Sequence, residues 1–366
     1  MGPSKLLTQA EELLRTGRAD EALPIATSFL ARLQRDRLQT LPALNLLGEI
    51  NLELGNADKA RNYFLAAAHA DPDGSIPESQ GGGAEKLLWL AQLSEEGGQD
   101  SVDWFERGAV ILRRIIAATG DVEVGKEKRK KLSEALCGII EVYMTDLSWE
   151  TDAEVKCESL ITEALLVAPH SPEPLQTLAS IRISQTRIQE ARKALADSIS
   201  LWKHLPPEDT GVPDFPTRIS LARLLMEVEM EEEALEVVER LVTEDDQSVE
   251  AWYLGGWCLY LLGEKRKNPQ DTEAVMHDGK QGEDNLHLTA LVSSRDWLRQ
   301  SLTLYEMLEY EDERLRDHAE ELVDGLDAQL REYDSKDEGD GLVDREDDGL
   351  NEEEEDEEED HEMDES

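Results

Sequence analysis

The stretch LPALNLLGEINLELGNADKARNYFLAAAHADP, residues 41–72, constrains the fold of this chain more than any other. Leu44, Leu47 and Gly48 recur at helical spacing, and after GNAD so do Ala60, Phe64 and Ala67, with Pro72 closing the unit. Small residues at Gly48, Ala60 and Ala67 let two antiparallel helices approach closely, Phe64 fills the space between neighbouring pairs, and Pro72 cannot continue the second helix. One such pair cannot bury its apolar faces alone, so copies of it must stack.

This is the pattern of a tetratricopeptide repeat, and further copies fit the same template. The first has Leu6, Ala10, Leu13 and Ala22 about a GRAD turn; the fourth has Leu136, Ile139 and Tyr143, then Cys157, Ile161, Ala164 and Pro169. The fifth has Leu175, Leu178, Ala179, Ala191, Leu195 and Ser198, the sixth Leu221, Ala222, Leu225, Ala234, Val238 and Leu241, and the seventh opens with Trp252, Gly255, Gly256 and Leu259. Two copies are irregular. The third keeps Leu88, Ser101, Phe105 and Gly108 behind the loop DPDGSIPESQGGG, and the seventh resumes at Ser294, Leu298 and Ser301 only after a polar interruption. The polar-faced stretch EDERLRDHAEELVDGLDAQL then reads as the helix that covers the last apolar face. The expectation is an all-α, right-handed superhelix of about seven helix pairs with a C-terminal capping helix. It occupies residues 1–333, with insertions near 73–84, 119–131 and 264–286. Residues 334–366, rich in Asp, Glu and Gly, bury too little apolar surface to offset chain entropy and are expected to be a disordered acidic tail.

Charge narrows the function. The chain has 366 residues and a formal net charge of −46; residues 334–366 hold 20 acidic and 2 basic residues, −18 of that total, which leaves −28 on the first 333. A field of this sign repels nucleic acid and anionic membranes and concentrates cationic partners. The three cysteines, Cys137, Cys157 and Cys258, lie singly among apolar neighbours, which fits a reducing compartment and neither a zinc site nor a disulfide framework. No leader is expected in MGPSKLLTQAEELLR, and the longest apolar run, residues 251–262, is too short to cross a bilayer. The seven histidines are scattered and DGKQGED lacks the spacing of a phosphate loop, so no enzyme, metal or cofactor is expected. The basic run GKEKRKK, residues 125–131, reads either as a solvated linker or as a nuclear-import signal.

In stacked helix pairs the first helices line the concave face. That register places Asn45, Glu49, Glu53, Glu141, Glu227, Glu250, Tyr253, Trp257 and Tyr260 in the groove. A single glutamate on a repeat helix is by default a solvated charge of small consequence. As a set on an acidic body, these residues describe a trough for Arg and Lys side chains, with aromatic faces for guanidinium groups or aliphatic stems at one end. The groove is poor in the Lys and Arg needed to clamp a peptide's C-terminal carboxylate, as an adaptor for heat-shock chaperones would require. Charge alone does not separate a ribosomal protein from a histone as the client.

With VEAWYLGGWCLYLLGE, SSRDWLRQSLTLYEMLEYEDERLRDHAEELVDGL and a closing Asp/Glu tail, the chain resembles the dedicated fungal assembly chaperones of the fourth large-subunit ribosomal protein. Capped repeats need no partner subunit, so a monomer is expected, and the resemblance implies a client-specific chaperone in ribosome biogenesis. Such a chaperone holds the basic rRNA-binding loop of the newly made protein, prevents its aggregation, and escorts it through cytoplasm and nucleus to the pre-60S particle, with an import receptor engaged through the client.

Overall fold

The computed structural model describes residues 3–33, 37–267 and 280–340. Among these, fifteen α-helices are present and no strand. They form seven consecutive pairs: α1 and α2 (Pro3–Arg15, Ala19–Arg32), α3 and α4 (Arg37–Glu53, Ala57–Ala70), α5 and α6 (Glu85–Gln92, Gly98–Ala118), α7 and α8 (Val122–Met144, Ala153–Val167), α9 and α10 (Pro172–Ser184, Ile188–Ser200), α11 and α12 (Phe215–Glu227, Glu231–Glu244), and α13 and α14 (Val249–Lys267, Lys280–Met307). Helix α15, Glu313–Asp340, follows alone and packs on α14.

The same physics recurs within and between pairs. A Cβ placed on Gly48 would lie 2.5 Å from the Phe64 ring, one on Gly108 2.6 Å from Leu88 and one on Gly256 2.6 Å from Leu298, each within its pair; one on Gly138 would lie 2.7 Å from Phe105 of the preceding pair. The turns recur as well. The amide six positions into each turn returns to the helix it left, Arg18 to Leu13, Asn56 to Asn51, Arg187 to Arg182 and Met230 to Leu225. This closure needs one residue with positive φ. Gly17 and Gly55 supply it freely, whereas Thr186 at 59° and Glu229 at 61° adopt it at a cost of about 1 kcal/mol each.

The structure differs from the sequence reading in four places. The described residues form two compact units, residues 1–246 and residues 247 onward, where one domain to residue 333 was expected. The segment 119–131 is not an insertion. Asp121 caps α7 by accepting from the amides of Glu123 and Val124 at 2.9 and 3.1 Å, so residues 122–131 are its first turns. Of the insertion placed at 264–286, residues 264–267 end α13 and 280–286 begin α14, while 268–279 lie outside the described residues. Helix α15 runs seven residues past the expected start of the tail at 334; the remainder of that tail, 341–366, lies outside the described residues.

The loop at 73–84 is a folded insertion. Asp71 and Lys86, each 1% exposed, pair at 2.9 Å beneath it. The second Asp71 oxygen accepts from the amides of Ser75 and Ile76, and Lys86 also donates to the Gly83 carbonyl. A charge pair buried so fully holds only when its remaining hydrogen bonds are met, as they are here.

Candidate acidic face

Within residues 1–246 the first helices of successive pairs stand side by side: α7 packs on α9, and α9 on α11. On α7, Lys131, Glu134, Gly138 and Glu141 recur at three- and four-residue spacing and form one stripe, which Thr145 continues at the helix end. Glu134, Gly138, Glu141 and Thr145 border a cleft of about 610 Å³ with Leu88 and Gln92 of α5, Glu173, Thr177 and Ser180 of α9, and Thr217, Ser220 and Leu224 of α11. Phe105 of α6 forms part of the apolar floor. Three carboxylates, Glu134, Glu141 and Glu173, thus share one concavity.

Their electrostatics reflect crowding. Burial, with repulsion from Glu173 and Asp214 added, holds the Glu134 carboxyl above its usual range against the pull of Lys130 and Lys131. The Lys130 ammonium stands 3.8 Å from Glu134 and 4.0 Å from Glu173, too far for a hydrogen bond. Among the described residues the Glu141 side chain has no hydrogen-bond or ion-pair partner. Between these acids, burial lifts the Cys137 thiol to about 12, and the three neighbouring carboxylates reinforce the shift. The thiol form of Cys137, which also lines the cleft, is therefore favoured over the thiolate.

Toward α3 and α5 the same face is composed differently. Lys131 reaches the Glu85 carboxylate at 2.5 Å and Glu127 at 3.8 Å. The Glu49 carboxyl is held above its usual range by burial first, then by repulsion from Glu85 and Glu11, with Lys131 opposing them.

The nine residues chosen from repeat register divide between the two units. In the first, Glu141 lines the cleft and Glu49 joins the Glu85–Lys131 group, while Glu53 and Glu227 are exposed. Asn45 is committed elsewhere: its amide donates to the Gly81 carbonyl at 2.7 Å and pins the 73–84 loop, so it is scaffold rather than a free groove residue. In the second unit Glu250, Trp257 and Tyr260 are half-buried on α13. Tyr253 is 9% exposed and its hydroxyl meets His318 Nδ1 of α15 at 2.8 Å, which removes it from any ligand-facing surface. Trp257 packs edge-on against the same imidazole, ring centres 5.0 Å apart.

Repeat register missed Glu134, Glu173, Glu85 and Lys131. Glu134 carried a signal, since it precedes Glu141 by seven residues on one helical face. Glu173 was hidden behind Pro172 at a helix start, and Lys131 within the run GKEKRKK. That run is not a linker: it is helical, and the Lys128 ammonium, on a residue 5% exposed, lies 2.8 Å from the Glu78 carboxylate of the folded loop.

Among the described residues no group of three or more His, Cys, Asp and Glu side chains is arranged to hold a metal ion, and no helix is long and apolar enough to cross a membrane.

Comparison with known proteins places these features in context. The tetratricopeptide-repeat family profile matches residues 7–75. A relative from Emericella nidulans, named a probable assembly chaperone of rpl4, is 55% identical over 331 residues, 90% of this chain and 82% of its own. One of the same name from Schizosaccharomyces pombe is 34% identical over 287 residues, 78% of this chain and 80% of its own. The solved structure of the assembly chaperone of RpL4, Acl4, residues 1–338, superposes with a TM-score of 0.66 at 55% identity, covering 74% of this chain and 99% of that one. A tetratricopeptide repeat protein from Parabacteroides merdae, 12% identical, superposes at 0.50 over 88% of this chain and 98% of its own, a likeness of fold alone.

Proposed function

This chain belongs to the family of assembly chaperones of rpl4, and from that premise we propose that it is a chaperone of this ribosomal protein and holds a basic segment of it on the acidic face of α7, α9 and α11. The observation that carries the reading is the shared cleft of Glu134, Glu141 and Glu173, where no cation comes within hydrogen-bond distance of the first two among the described residues. Carboxylates crowded enough to raise a neighbour's proton affinity are stabilised when a lysine or arginine arrives between them. Leu88, Phe105, Met144 and Leu224 add apolar surface against which aliphatic stems can lie.

The mechanism needs no chemical step. Distributed ion pairs hold a segment that has no core of its own, and a competing polyanion such as rRNA releases it by offering denser negative charge. We include in the proposal the carriage of the client from cytoplasm to nucleus, supported by the assembly role in the relatives' names. A tagged chain restricted to the cytoplasm throughout assembly would remove that step.

The direct test is charge reversal. Glu134→Lys with Glu141→Lys is expected to lower affinity for purified rpl4 by about thirtyfold or more at low ionic strength, since facing like charges cost several kcal/mol. Glu227→Lys, farther along α11, adds a smaller loss. Unchanged affinity in a folded double variant rejects this face as the site.

A further inference from the structure

We propose that Lys131 is a tethered cation that occupies the α3–α5 end of the acidic face in place of a client side chain, and so directs the basic segment to the α7–α11 end. The proposal rests on the client reading above and concerns how that site is regulated. Its basis is geometric. The Lys131 side chain is 28% exposed, continues the stripe of Glu134 and Glu141, and crosses to α5 to meet Glu85 Oε2 at 2.5 Å, with Glu127 at 3.8 Å. The Lys131 ammonium thus joins α7 to α5, and its charge also offsets the burial and repulsion that act on Glu49 of α3.

An arriving client lysine is chemically identical to Lys131. The tethered group, however, has no translational freedom left to lose, whereas the client loses freedom at every residue it orders. At equal chemistry the resident cation prevails, and the Glu85 carboxylate is already satisfied. At the other end the resident cation fails. Lys130 stops at 3.8 Å from Glu134 and 4.0 Å from Glu173, which leaves the Glu134 acceptor positions open to a donor from outside. Glu173 Oε2 accepts from the Ser171 hydroxyl at 2.5 Å, and the residue keeps its other oxygen for a ligand. One acidic face is thereby divided into an end matched to neutral side chains and an end matched to cations, which gives the bound segment a direction.

The test uses the full chain with purified rpl4, titrated at low and at high ionic strength, with thermal unfolding recorded for every variant. Lys131→Met uncovers Glu85 and Glu49, and is expected to tighten binding by about three- to tenfold at low ionic strength and by much less at high. Glu85→Gln keeps an acceptor for Lys131 but leaves its charge uncompensated, and is expected to weaken binding by a similar factor. The double variant returns toward the parent. A folded Lys131→Met chain that binds no more tightly overturns the proposal; if that chain fails to fold, a Glu85→Gln chain that binds no more weakly does the same. The client reading is judged separately: rpl4 affinity indifferent to Glu134→Lys and Glu141→Lys rejects it, whereas sensitivity there with indifference at Lys131 and Glu85 rejects the tethered cation alone.

Discussion

Along one acidic face in residues 1–246, the side formed by α3 and α5 and the side formed by α7, α9 and α11 carry similar carboxylates in different electrostatic settings. On the first side the charges have partners: Asp71 and Lys86 are sealed together, Lys128 holds Glu78, and Lys131 holds Glu85. On the second, Glu134, Glu141 and Glu173 border an open cleft with one lysine at arm's length. Burial accounts for the Asp71–Lys86 pair, since a charge out of water must be paired within the chain. Glu85 and Glu134 have similar side-chain exposure, 51% and 48%, and differ instead in whether a resident lysine reaches them.

The largest way to break this contrast is to unpair the buried side. Lys86→Met strands Asp71 at 1% exposure beneath the 73–84 loop and is expected to destabilise residues 1–246 by about 3–5 kcal/mol in urea unfolding followed by circular dichroism. A change under 1 kcal/mol would mean that water reaches Asp71 and that the pairing argument is wrong.

A smaller perturbation asks whether the two sides differ in packing as well as charge. Gly48→Ala would drive a methyl to 2.5 Å from the Phe64 ring, and Gly138→Ala one to 2.7 Å from Phe105. Each is expected to lose about 1–3 kcal/mol by the same measurement, and the two losses should agree. A much cheaper Gly138→Ala would show that the cleft side is also more loosely packed.

The smallest effect sharpens the electrostatic half. The folded chain binds the Glu49 and Glu134 protons more tightly than the unfolded chain, so the stability they contribute is complete below the unfolded value and is lost as pH rises through the folded one. Replacing either with Gln is therefore expected to raise the melting temperature at neutral pH by about 1–3 °C. The gain should vanish once the pH falls below the ordinary glutamate value of about 4.3. A Glu134→Gln chain that melts lower at neutral pH would contradict the crowding assigned to the cleft. Glu134→Gln should also weaken rpl4 binding, because the repulsion that costs stability is what a client cation relieves.

How much of this was legible beforehand differs between fold and site. Gly48, Phe64, Phe105, Gly256 and Leu298 could be placed in their helices from spacing, because close helix approach demands small against large at fixed intervals. The seven pairs and the final helix followed. The site was read only in part. Register places Glu141 on the cleft and Glu49 near Glu85 and Lys131, whereas Asn45 and Tyr253 bond to Gly81 and His318, partners 36 and 65 residues away. Register tells which way a side chain points, and is blind to what folds over it.

The sequence by itself therefore determined the helix pairs, the irregular third and seventh repeats, and the acidity of the chain, since these depend on local periodicity and summed charge. Only the tertiary structure decided that residues 122–131 begin a helix, that the 73–84 loop is bolted over a buried ion pair, and that Lys131 meets Glu85. Each of those outcomes turns on a contact between segments distant in the chain, where a few ångströms separate a neutralised carboxylate from one still able to bind.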